Sequence, residues 1–91
     1  MQRVKKRLEI KNRLGLHARA SALLVQTINR FSCEVKISKD DQVVNGRSII
    51  GVLTLGAAKG AKIRVEARGN DAQQAVAAIE ELVENKFGEG E

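Results

Sequence analysis

Lys62-Ile63-Arg64-Val65-Glu66-Ala67-Arg68 runs through Gly69-Asn70-Asp71 into Ala72-Gln73-Gln74-Ala75-Val76-Ala77-Ala78-Ile79-Glu80-Glu81-Leu82-Val83. In the first run Ile63, Val65 and Ala67 alternate with Lys62, Arg64, Glu66 and Arg68, the pattern of a strand with one dry face and one wet face. In the second, Ala72, Ala75, Val76, Ile79, Leu82 and Val83 fall on one helical stripe, with Asn70 or Asp71 placed to cap it. A strand that is apolar on one side only needs covering on one side only. Helices laid over one face of an antiparallel sheet, a two-layer α+β sandwich, satisfy both elements.

The same two periods recur upstream. Residues 4–10 carry Val4, Leu8 and Ile10 on even positions among Lys and Arg, a half-buried strand, and Asn12-Arg13-Leu14-Gly15 breaks it. From Ala18 the period becomes helical, with Ala20, Leu24, Ile28 and Phe31 in one stripe. Cys33, Val35 and Ile37 return to strand alternation, and the parity of Cys33 makes it a buried core thiol. Lys39-Asp40-Asp41 is a turn that leads into a short run, Gln42–Val44, so these two strands suit a hairpin. Asn45-Gly46 breaks the chain, Ser48 is placed to cap a short helix over Ile49–Leu55, and Gly56 and Gly60 bracket a loop. The order is β-α-β-β-α-β-α, four strands and three helices. The tail from Gly88 to Glu91 is expected to fray.

Composition narrows the function. The 91 residues make one domain, spanning 1–91. No apolar run approaches a membrane span, and the charged N-terminus, with no apolar stretch after it, argues against a secretory signal. A single cysteine cannot form an internal disulfide, which points to the cytoplasm. One histidine and one cysteine are too few for a His/Cys metal site, so neither metal nor cofactor is expected. One His without a paired base is also a poor inventory for a free-standing enzyme. The net charge of +5 favours acidic partners. Nucleic acid is disfavoured among them, because the chain has two Phe and no Trp or Tyr for base stacking, and no recognition motif.

The lone histidine stands where the first helix should begin. His17 follows Leu14-Gly15-Leu16, and a helix start offers unpaired N–H groups and a partial positive charge, both favourable to an anion. Gly15 allows a tight path into that position, and Arg19 brings a guanidinium suited to phosphate oxygens. A phosphoryl group on His17 would meet a ready-made site.

Leu14-Gly15-Leu16-His17-Ala18-Arg19-Ala20-Ser21-Ala22 resembles the active-site segment of the HPr family, the histidine-containing phosphocarriers of the bacterial phosphotransferase system. Val44-Asn45-Gly46-Arg47-Ser48-Ile49-Ile50-Gly51-Val52-Leu53-Thr54-Leu55-Gly56-Ala57-Ala58-Lys59-Gly60-Ala61 is similar to the regulatory-serine helix of the same family. The resemblance runs from about Leu8 to Leu82 and implies an open-faced β-sandwich, four antiparallel strands with three helices on one face. It implies that His17 takes a phosphoryl group at Nδ1 from phosphorylated enzyme I, itself charged by phosphoenolpyruvate, and passes it to an enzyme IIA component. Arg19 and the N–H groups of Ala18 and Arg19 would steady the phosphate. The family's usual proline after the motif arginine is replaced by Ala20, which keeps the helix and restores one N–H.

The resemblance also implies that Ser48 is phosphorylated in some members by HPr kinase/phosphorylase. It makes Ile49, Ile50 and Leu53, rimmed by Arg19 and Arg47, a docking patch for partner proteins, although some of the three apolar residues should pack inward. A monomer with its site exposed suits a carrier. The competing reading is a regulatory binding module, of which the nitrogen-related phosphotransferase branch is the nearest case, acting by docking rather than in sugar uptake.

Overall fold

The four strands lie in one antiparallel sheet of order β1-β4-β2-β3, in a computed structural model that describes Met1–Gly90. They are β1 (Gln2–Glu9), β2 (Glu34–Lys39), β3 (Gln42–Asn45) and β4 (Lys62–Gly69); the helices are α1 (Ala18–Ile28), α2 (Ile49–Thr54) and α3 (Ala72–Glu84). The element order and architecture are those expected, an open-faced sandwich with three helices. β4 is central, pairing with β1 (Leu8 opposite Ile63) and with β2 (Ile37 opposite Val65). β2 and β3 form the expected hairpin through Asp40-Asp41, with Lys39 opposite Gln42.

Alternation puts the dry faces together. Ile63, Val65 and Ala67 of β4 are fully buried beside Leu8, Val35 and Ile37, and the stripes of α1 and α3 close over them through Ala20, Leu24, Ile28, Ala75, Ile79 and Val83. The intervening charged residues face solvent, where Glu66 pairs with Arg3 and Lys5.

Three details differ from expectation. The α1 stripe was expected to reach Phe31, but the helix ends at Ile28 and Phe31 packs half-buried beyond it. Asp71, not Asn70, is the N-cap of α3, yet its carboxylate does not cap: it accepts the backbone N–H groups of Ser32 and Cys33 at 2.8 and 3.0 Å. Those bonds, the Ser32 N–H foremost, hold the Asp71 carboxyl below its ordinary pKa.

The third detail is the tail. After α3 the chain turns at Lys86–Gly88 through left-handed backbone, with φ of 55° at Lys86 and 53° at Phe87. Such backbone costs a non-glycine residue about 1–2 kcal/mol, and burying a Phe side chain returns about 1.5–3 kcal/mol. Phe87 is only 1% exposed, so its burial offsets most of the cost carried by Lys86 and Phe87 together, and the backbone hydrogen bonds of the turn add to it. Gly88 and Glu89 therefore do not fray; their N–H groups donate to Asn85 and Lys86. The last residue of the expected frayed tail, Glu91, lies outside the described residues.

Candidate functional site

The loop between β1 and α1 is built to deliver His17. Gly15 has φ +66°, and a Cβ there would lie 2.4 Å from the Ala57 carbonyl oxygen, so only glycine fits. The next N–H, that of Leu16, donates to the same carbonyl at 2.9 Å, and the Leu16 side chain is buried. Asn12, fully buried, donates through Nδ2 to the Gly15 carbonyl at 2.8 Å. The Ser21 hydroxyl donates to the Leu16 carbonyl at 3.1 Å. Each bond fixes the chain within two residues of the histidine.

His17 is the N-cap of α1, with extended backbone, and its carbonyl accepts the Ser21 N–H at 2.9 Å. The His17 side chain makes no capping hydrogen bond, and no acidic residue stands in the first turn of the helix. By helix geometry the N–H groups of Ala18, Arg19 and Ala20 lack intrahelical acceptors. His17 and Arg19 share a cleft of about 430 Å³ with Arg13, Leu14, Gly88 and Glu89. The cleft is cationic on its flanks, and it exposes 29% of the His17 side chain. Ala20 is fully buried on the α1 stripe, so the family's proline position is filled by a packing residue.

Glu89 is the residue that the sequence did not reveal. Its Oε2 meets His17 Nε2, and its Oε1 accepts from Asn12 Nδ2 at 3.0 Å. The Asn12 bond first, and the His17 bond next, hold the Glu89 carboxyl below its ordinary pKa. No sequence period marks it, because it is brought to His17 only by the left-handed turn that buries Phe87.

Ser48 caps α2 as expected, its Oγ accepting the Gly51 N–H at 2.9 Å. Ile49, Ile50 and Leu53 are all exposed, at 43, 76 and 37%, while Val52 and Leu55 take the inward positions. None of the three docking candidates is spent on the core, as some were expected to be. Arg47 sits differently from a rim cation. Its guanidinium donates to the carbonyls of Ile28, Phe31 and Cys33 and to Asn29 Oδ1, at 2.7–3.2 Å. It holds the chain where α1 ends. Cys33 is 3% exposed; burial, reinforced by Asp71, pushes its thiol pKa up, which makes it unreactive.

Fold and cleft define a small open-faced sandwich that presents one part-exposed histidine at a helix mouth, between arginines and a carboxylate. The family model for the PTS HPr component phosphorylation site matches residues 4–85. The phosphocarrier protein HPr of Neisseria meningitidis serogroup A is 48% identical over 88 residues, 97% of this chain and 99% of that one. The HPr-like protein Crh of Halalkalibacterium halodurans is 41% identical, over 91% of this chain and 99% of its own. The crystal structure of HPr-C-His from Thermoanaerobacter tengcongensis superposes with a TM-score of 0.89 at 44% identity, covering 98% of both chains. The chain belongs to the HPr family, the phosphocarriers of the phosphotransferase system. Among the described residues no helix is long and apolar enough to cross a membrane, and no group of three or more His, Cys, Asp or Glu could hold a metal ion.

Proposed function

We propose that this chain accepts a phosphoryl group on His17 Nδ1 from phosphorylated enzyme I and delivers it to an enzyme IIA component in the cytoplasm. The placement of His17 at the uncapped start of α1, in an arginine-flanked cleft, carries this reading. Unpaired N–H groups and the positive helix end favour a dianion, and Arg19 supplies oxygen-binding donors. A helix-end charge interaction is worth only about 0.3–1 kcal/mol when exposed, which steadies the phosphate without trapping it. The partner enzymes supply the remaining chemistry, and a monomer leaves the cleft open to both.

Ile49, Ile50 and Leu53 form the docking surface in this reading, since exposed apolar residues on a short helix suit transient binding. Ser48 is its regulatory point. A phosphoserine there brings about −1.5 to −2 charges at pH 7, tolerated at a helix start but repelling an acidic partner.

The test is incubation with enzyme I, magnesium and phosphoenolpyruvate, read by intact mass, with His17→Ala as control. An acid-labile phosphate that vanishes in the control supports the carrier. No adduct from a demonstrably active enzyme I would favour a regulatory module acting by docking alone.

A further inference from the structure

Histidine attacks phosphorus only through a ring nitrogen that carries no proton, and a neutral imidazole has two from which to choose. In this protein the choice is constrained from one side. The Glu89 carboxylate faces His17 Nε2, and an ionised carboxylate can only accept. The proton must therefore sit on Nε2, leaving Nδ1 with its lone pair. Nδ1 makes no hydrogen bond among the described residues, so none of them competes for that pair.

Glu89 is itself held in place. Its side chain is 10% exposed, against 29% for His17, so the carboxylate is enclosed while the ring stays accessible. Asn12 Nδ2 donates to both Glu89 Oε1 and the Gly15 carbonyl. The Asn12 amide has one workable orientation, because turning it over would aim Oδ1 at two acceptors. Its Oδ1 is buried without a partner. That arrangement sacrifices one hydrogen bond to keep the amide donor on Glu89. Arg13 and Arg19 are the other charged groups lining the cleft, and the Arg19 guanidinium favours an ionised Glu89.

We infer that Glu89, anchored by Asn12, is a positioning residue that fixes the His17 tautomer for attack through Nδ1 and stabilises the ring as it becomes charged. The second half rests on the carrier reading. During transfer the Nδ1 lone pair forms the new bond to phosphorus. The bond between phosphorus and the donor breaks, and its electron pair returns to the donor. Nε2 keeps its proton, so the ring gains positive charge directly against the Glu89 carboxylate. A carboxylate that orients an imidazole and stabilises its cation performs the same physical service in hydrolytic triads.

The experiment compares the unaltered protein with Glu89→Ala and Glu89→Gln, all ¹⁵N-labelled at histidine. The ¹⁵N shifts of His17 give the tautomer ratio of the neutral ring without any phosphate donor, and enzyme I kinetics give kcat and KM for transfer. Losing a hydrogen bond to a charged group should lower the Nε2–H to Nδ1–H ratio by about tenfold in Glu89→Ala. Transfer kcat should fall by a similar factor with KM unchanged. Glu89→Gln, which retains a neutral acceptor, should fall between. An unchanged tautomer ratio in Glu89→Ala overturns the inference, whatever happens to the rate. If even the unaltered protein takes no phosphate, the carrier reading fails alone, and the tautomer ratio still decides whether Glu89 positions the ring.

Discussion

Replacing Arg47 by alanine should destabilise the fold while leaving partner docking largely intact. The guanidinium bridges three backbone carbonyls and the Asn29 side chain where α1 gives way to β2. Hydrogen bonds to a charged group contribute about 1.5–3 kcal/mol each when measured singly. The four share one cation, and Arg47 is only half-buried, so water would reach the freed carbonyls. About 1 kcal/mol per carbonyl is then reasonable, or about 3 kcal/mol in all. For a domain of this size each kcal/mol moves Tm by about 4–8 °C, so Arg47→Ala should melt about 12–24 °C lower. Arg47→Lys, whose ammonium cannot span the same set, should recover about half of that loss. Differential scanning calorimetry reads the shift, and enzyme I kinetics at 25 °C, where the variant remains folded, read docking. A Tm within about 4 °C of the unaltered protein, less than about 1 kcal/mol, with a raised KM would refute the structural assignment and restore Arg47 to the docking rim.

Gly15→Ala combines left-handed backbone with a clash on the Ala57 carbonyl. It should cost about 2–3 kcal/mol by urea denaturation and slow His17 phosphorylation by displacing the loop. Ser48→Ala removes the cap on the Gly51 N–H and should cost about 1 kcal/mol. Ser48→Asp should keep most of that in the same assay, since a carboxylate also accepts the bond. Asp71 gives a pH dependence of definite sign. Its folded pKa lies below the ordinary 3.8, so its contribution is fully present above that value and is lost as pH falls through the depressed one. Urea melts taken from neutral pH downwards should show that acid loss, and Asp71→Asn should flatten it.

Period carried most of the fold into the sequence. Ile63, Val65 and Ala67 had to share a face, and once β4 was one-sided, the helices had to lie on that side. His17 was legible for a local reason, a glycine and a histidine at a helix start. What stayed hidden depends on residues far apart in the chain. Arg47 reaches back to Ile28, 19 positions away, and Glu89 reaches His17 across 72. Neither contact leaves a periodic trace. The overrun of α1 to Phe31 has a related cause, since a stripe records which residues could face the core and not where hydrogen bonding stops. Glu89 was also masked by composition: a glycine-bracketed acidic tail looks like solvated chain until the burial of Phe87 is known.

The central place of β4 has a kinetic consequence. Its neighbours on both sides are made first, and until Lys62–Gly69 has been synthesised β1 has no strand to pair with. The chain up to that point holds one short hairpin and two helices with nothing closed beneath them. Pairings between residues so distant in sequence carry a loop-closure cost that slows folding. The protein should therefore collapse late in its synthesis and in one step, and a fragment released before Gly69 would be a substrate for proteases rather than half a domain.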